Sequence, residues 1–359
     1  MKQLRKMTAI LLAGMAATLS FGAAQAEPVK VGFVYVGSIG DYGWNYAHNA
    51  GRLAVEKEFG DKVKTSYVEN VAEGPDAQRV ITQLANTGHK LIFTTSFGFM
   101  NPTLRVAKQF PDVRFEHATG FKRADNLATY SARFYEGRHI AGLLAGKMSK
   151  TGNIGYIASF PIPEVIRGIN AATIAARLVN PKARMKVIWV STWGDPGKEA
   201  DAAKTLIDQG VDVIMQHTDS PAAVRVAQDR GVWAFGQASD MVAFGPKAHL
   251  TAIIDNWAPY YIARTKAVMD GSWKSGDVWG GFKSGMVVMA PYNPAIPADV
   301  VVMVEKARKG IIDGSVHPFA GPLKDQAGKI VVAAGKVADD GMLLGMNFYV
   351  EGVEGKIPQ

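Results

Sequence analysis

The chain of 359 residues contains no cysteine. That excludes a disulfide scaffold, a thiolate nucleophile and lipid attachment to a cysteine behind a leader. Long apolar runs are equally scarce: beyond residue 22 nothing approaches the roughly 20 apolar residues of a spanning helix. Clusters of basic residues are missing as well. The net charge of +8 is spread thinly, so nucleic acid is not an expected partner. No Gly-x-Ser-x-Gly elbow and no His-Glu-x-x-His occurs, and the enzyme classes built on them are excluded.

What is present begins with a leader. Lys2, Arg5 and Lys6 precede an apolar stretch from Met7 to Gly22, and Ala24-Gln25-Ala26 supplies small residues for cleavage. The pattern predicts a signal peptide over 1–26, a mature start at Glu27 and a periplasmic location. The mature chain then carries a net charge of +5, because the leader takes three basic residues with it.

Along the mature chain, short β-branched runs alternate with helical patterns, which predicts α/β architecture with mostly parallel sheets flanked by helices. The rhythm runs from strand Val31–Val36 through helix Trp44–Phe59 to strand Val113–His117, then restarts after Leu127. Two sheets of similar size are expected, without a flexible linker. The remaining elements after Phe235 are too few for a third domain, so the chain is expected to cross between lobes three times, near 127, 250 and 285. The division is 27–127 plus 251–285 for the first lobe, and 128–250 plus 286–359 for the second. Such a hinge closes two lobes over a ligand.

Ligands of open α/β sheets bind at the carboxyl ends of the strands. The first such loop is Gly40-Asp41-Tyr42-Gly43-Trp44-Asn45, with flat rings beside a carboxylate and an amide. It lacks the Lys of a phosphate-cradling loop, and Gly37-x-x-Gly40-x-x-Gly43 breaks the dinucleotide pattern. The later loops bring Phe97, Trp193, Asp219 and Asp240. Capping explains Asp195 and Ser220 equally well, and Trp44 also suits simple packing on the sheet. His217 beside Asp219 is too few ligands for zinc, so neither metal nor cofactor is expected.

The strand and loop Val31–Asn49, together with Trp193-Gly194-Asp195-Pro196-Gly197-Lys198, Gln216-His217-Thr218-Asp219-Ser220-Pro221, Phe235-Gly236-Gln237-Ala238-Ser239-Asp240 and Asp255-Asn256-Trp257, resemble the basic membrane protein family. That family comprises substrate-binding proteins of ATP-driven importers. The resemblance implies a two-lobed type I periplasmic-binding-protein fold, a purine base or nucleoside as ligand, and a membrane permease of an ABC importer as partner. It implies no catalysis. Carried over residue by residue, it places the base between Tyr42 or Trp44 and Trp193, with Asp41 and Asn45 on the base edge. Asp240 and Lys283 match the family's ribose contacts. A sugar-binding or chemoreceptor-linked protein of the same fold, and a secreted nucleoside hydrolase, are the competing readings. A freely opening hinge makes a monomer the expected state.

Overall fold

In the computed structural model the described residues are 27–359, so the expected leader lies outside them. Apolar runs closed by glycine and polar loops form strands, and the amphipathic segments between them form helices. In chain order these are β1 (Val29–Val34), α1 (Trp44–Phe59), β2 (Val63–Val68), α2 (Pro75–Asn86), β3 (Leu91–Thr94), α3 (Met100–Gln109), β4 (Arg114–Ala118) and β5 (Leu127–Ala132). Next come α4 (Phe134–Met148), β6 (Asn153–Ala158), α5 (Pro163–Val179), β7 (Arg184–Trp189), α6 (Pro196–Asp208), β8 (Val213–His217), α7 (Ala222–Arg230), β9 (Trp233–Ala238) and β10 (His249–Asp255). The chain ends with α8 (Ala258–Met269), β11 (Asp277–Gly280), β12 (Val287–Met289), α9 (Ala298–Asp313), β13 (Leu323–Lys324), β14 (Ile330–Val332), α10 (Asp340–Leu344) and β15 (Val353–Glu354).

Two sheets organise these elements. The first has the order β11-β5-β4-β3-β1-β2, and every pairing in it is parallel. The second has the order β12-β10-β9-β8-β6-β7-β15, parallel except where β12 runs against β10. All four residues of β3 and all five of β8 are buried, as parallel strands covered by helices on both faces must be.

The chain passes between the sheets three times: from β5 into α4, from β10 into α8, and from β11 into β12. These passages are bonded to one another. Arg133 N–H donates to Gly280 O at 2.6 Å, Asn256 N–H to Met286 O at 2.9 Å, and Phe282 N–H to the Glu136 carboxylate at 2.7 Å. The expected divisions at 127 and 250 require correction, because they cut through β5 and β10. Pairing with β4 keeps β5 whole in the first sheet, and pairing with β9 keeps β10 whole in the second. The division at 285 falls in the passage from β11 to β12.

Candidate functional site

Between the sheets, the loops at the carboxyl ends of the strands face one another and enclose a cavity of about 30 Å³. Val36, Trp44, Ser96, Phe97 and Thr119 line it from the first lobe, and Ile162, Glu164, Trp193, His217, Asp219 and Gln237 from the second. One side opens into a space of about 650 Å³ lined by Gly37, Asp41, Tyr42, Asn45, Asn70, Phe160, Thr192 and Arg225. On the other side lies a space of about 330 Å³ that shares Phe97, Thr119, Ile162 and Glu164 with the cavity and reaches Arg167 and Trp279. Since one water takes about 10–15 Å³ of such volume, the central cavity holds about two. A planar ring enters it only when the lobes part.

The aromatic walls are held by polar anchors. Trp44 opens α1, its indole N–H donates to Thr95 O, and its ring meets His48 and Trp257 edge-on at 4.4 and 5.5 Å. Trp193 sits on the loop from β7 to α6, half-buried, with Phe160 edge-on at 5.0 Å and its own carbonyl accepting from Asp219 N–H at 3.0 Å. That loop is braced by a reciprocal cap: Asp195 accepts from Lys198 N–H at 3.1 Å, and Glu199 accepts from Asp195 N–H at 3.0 Å. Glu199 also accepts from the Ser220 hydroxyl at 2.7 Å, tying the loop to its neighbour, and burial pushes its carboxyl up to about 7.

Asp41 and Asn45 do something other than what the sequence implied. Asp41 accepts from the backbone N–H groups of Gly43 at 2.8 Å, Asn45 at 3.1 Å and Tyr46 at 3.0 Å, and from the Asn45 side-chain amide at 2.6 Å. It satisfies the orphan donors of the first turn of α1. Asn45 is buried, and its carbonyl oxygen accepts from Gly37 N–H at 3.2 Å. Both side chains brace the loop that presents Trp44, and both also line the larger space beside the cavity. Tyr42 takes a left-handed backbone (φ 62°), stacks on Tyr46 at 5.4 Å, and touches Phe244 of the second lobe edge-on at 4.7 Å.

The lobes touch directly at Gly43 and Asp219. A Cβ on Gly43 would lie 2.3 Å from Asp219 O, so only glycine permits this approach. Asp219 accepts from Trp44 N–H at 3.4 Å at the positive end of α1. Burial, then the nearby Asp41 and Glu199 carboxylates, nevertheless raises its pKa well above the ordinary aspartate range.

Asp240 and Lys283, which the resemblance puts on the ribose, do not line the central cavity; Asp240 lines a separate space beside Tyr46 and Ala47. Asp240 is exposed, accepts from Val242 N–H at 3.0 Å and lies 3.8 Å from His249, on the far side of the Ser239 turn. Lys283 is exposed on the turn Phe282–Ser284 between β11 and β12. The strands deliver both to the rim, because their turns leave the sheet after the last paired residue.

Residues 28–318 match the Bmp family, described as ABC transporter substrate-binding protein PnrA-like. The chain belongs to this family. A purine-binding protein of Brucella abortus (strain 2308) is 57% identical over 351 residues, covering 98% of this chain and 100% of that one. A putative ABC transporter glucose-binding protein of Haloferax volcanii is 39% identical over 337 residues, 94% of this chain and 83% of its own. Of solved structures, a solute-binding protein from Aeropyrum pernix K1 aligns with TM-score 0.70 at 18% identity over 88% of this chain and 95% of its own. One from Conexibacter woesei aligns with TM-score 0.66 at 20% identity over 80% and 98%. The two-lobed α/β fold expected from the sequence agrees with both. Members of the Bmp family are binding proteins of ABC importers rather than enzymes; they work outside the cytoplasm and deliver small molecules to a membrane permease.

In this Bmp chain, sequence reasoning found Asp219 but overlooked other polar groups of the second lobe that line the cavity. His217, read as an ordinary loop histidine, lines the cavity with Nε2 3.5 Å from Glu164, and its Nδ1 is buried without a partner. Burial lowers its pKa, so the ring is neutral; with the proton on Nε2 facing Glu164, Nδ1 is left as an acceptor. Glu164 at the start of α5 and Thr119 after β4 line the cavity too, and neither carries a sequence signature beyond its place after a strand.

Proposed function

We propose that this chain is a periplasmic receptor, released by cleavage of its leader, that captures a free purine base between its lobes and hands it to an ABC permease. The observation that carries this reading is the pairing of aromatic walls from opposite lobes, Trp44 and Phe97 against Trp193, around a cavity with buried polar groups at its edge. Flat rings are clamped by such walls, at about 1–3 kcal/mol per stacked base. The purine-binding name of the Brucella relative supports the ligand class. A base rather than a nucleoside follows from Asp240 and Lys283, which lie away from the cavity and leave a ribose without the contacts expected of them.

Glucose is the second reading, because the Haloferax relative is named for it and sugars also stack on aromatic rings. Titration calorimetry with adenine, guanine, hypoxanthine, their nucleosides and D-glucose separates the two. The purine reading requires a base to bind more tightly than its nucleoside, with glucose silent. Tight glucose binding overturns it. The protein binds without turnover: chromatography after prolonged incubation with inosine recovers inosine, and release of free base would make it a hydrolase.

A further inference from the structure

Behind the cavity wall lies a fully buried guanidinium that the ligand contacts do not use. Arg138 of α4 is 0% exposed, and one terminal nitrogen donates to the side-chain oxygen of Gln237. Its Nε and other terminal nitrogen have no partner, and the group lies over the Tyr156 ring at 5.4 Å. Asp255, also buried with both oxygens unpaired, feels the positive charge of Arg138. Gln237 itself is buried, ends β9 one residue before the turn and lines the cavity.

A guanidinium has donors and no acceptor, so it can engage only the carbonyl oxygen of a side-chain amide. The amide nitrogen of Gln237 is therefore turned away from Arg138, and among the described residues nothing accepts from it. We infer that Arg138 is a positioning residue that locks the Gln237 amide so that the cleft presents a hydrogen-bond donor, selecting ligands with an acceptor at that edge. This rests on the purine reading for the choice of probes. In a purine base the matching acceptor is one of the ring nitrogens or, in guanine and hypoxanthine, the carbonyl oxygen on C6. A buried donor left unpaired by an unsuitable ligand costs the full desolvation of the group, which makes the lock a filter as well as a contact.

The test is calorimetry with a base that binds and with its analogues in which N1, N3 or N7 is replaced by C–H or, where the base has one, the C6 carbonyl oxygen is replaced by hydrogen. One replacement weakens binding to the wild-type protein by roughly tenfold or more. In Arg138→Met the amide is free to turn, and that penalty falls to within about threefold, whereas Arg138→Lys, which also only donates, retains it. If Arg138→Met fails to fold, Gln237→Glu carries the same comparison. It keeps the bond to Arg138 and puts an acceptor where the donor was, so the parent base loses its advantage over the analogue. Wild-type protein that tolerates every one of these replacements, or Arg138→Met that keeps the full penalty, overturns the inference while leaving purine binding intact. Failure of every base to bind wild-type protein overturns the purine reading and this inference together.

Discussion

Replacing Trp193 by alanine tests the clamp at its most separable point. The indole lies on a loop whose backbone is held independently of its ring, by the Asp195–Glu199 cap and by the bond from Asp219 N–H to the Trp193 carbonyl, and an alanine retains all of these. Within the free protein the ring contributes an edge contact to Phe160, worth about 0.5–1.5 kcal/mol, so the cost in stability is about 1 kcal/mol. On the ligand side it supplies one of two stacking faces, worth about 1–3 kcal/mol, or roughly 5- to 150-fold in affinity. Titration calorimetry measures the second quantity and thermal denaturation the first, with the melting temperature falling by about 2 °C. Trp193→Phe keeps a smaller face and recovers about half of the lost free energy. An alanine variant that binds its base within twofold of wild type refutes the clamp. So does a melting temperature that collapses along with the affinity, since the ring would then be holding the lobe together.

Asp41→Ala removes the acceptor for the first turn of α1 and costs about 1–2 kcal/mol of stability; a lost affinity with unchanged melting would return Asp41 to the base edge. Asp240→Ala and Lys283→Ala each leave base affinity within about twofold, and a larger loss in calorimetry would place either residue in the site. Asp219 couples closure to pH. Its carboxyl is raised when the lobes are together, so the contribution it makes to closure is fully present below the ordinary value near 3.8 and lost as pH rises through the raised value. Ligand-free protein therefore becomes more compact in small-angle scattering as pH falls, and Asp219→Asn weakens that dependence; a dimension independent of pH in the wild type refutes this.

The residues that were legible in the sequence are those whose local chemistry and tertiary role coincide. Helix α1 begins at Trp44 and ends at Phe59 as expected, because glycines bracket an amphipathic stretch at both ends. Strand β11 went unread: Asp277-Val278-Trp279-Gly280 has one β-branched residue and abuts glycines, and it is a strand only because β5 offers it an edge. In the tail, α10 and β15 form on the support of α5 and β7. Asp41 has a capping role that the sequence did not separate from ligand contact. A carboxylate that caps a helix and one that reads a ligand are the same residue type in the same kind of loop, and only the positions of the Gly43, Asn45 and Tyr46 N–H groups separate them. Arg138 was invisible because an arginine inside a helix normally reads as solvated.

The same contacts indicate why closure waits for ligand. Bringing the lobes together packs the Gly43 backbone on Asp219 and gathers Asp41, Asp219 and Glu199 in a dry contact, where burial raises the pKa of each. Asp219, which meets Asp41 across the contact and resists ionising there, makes the empty closed state costly at neutral pH. Driving an equilibrium from about 1:99 open to 99:1 closed takes about 5.5 kcal/mol of differential affinity. Stacking on Trp44 is available in the open form, so only the Trp193 face, gained on closure, counts toward it, at about 1–3 kcal/mol. A ligand that only stacks therefore falls short and leaves the lobes mixed between states. Hydrogen bonds to second-lobe groups such as Gln237 and His217, formed while the ring rests on Trp44 of the first, carry the remainder. Selectivity and closure are then one event: a ring without matching polar atoms binds the open form and closes it poorly, and the permease, which meets the closed face, receives few of its complexes.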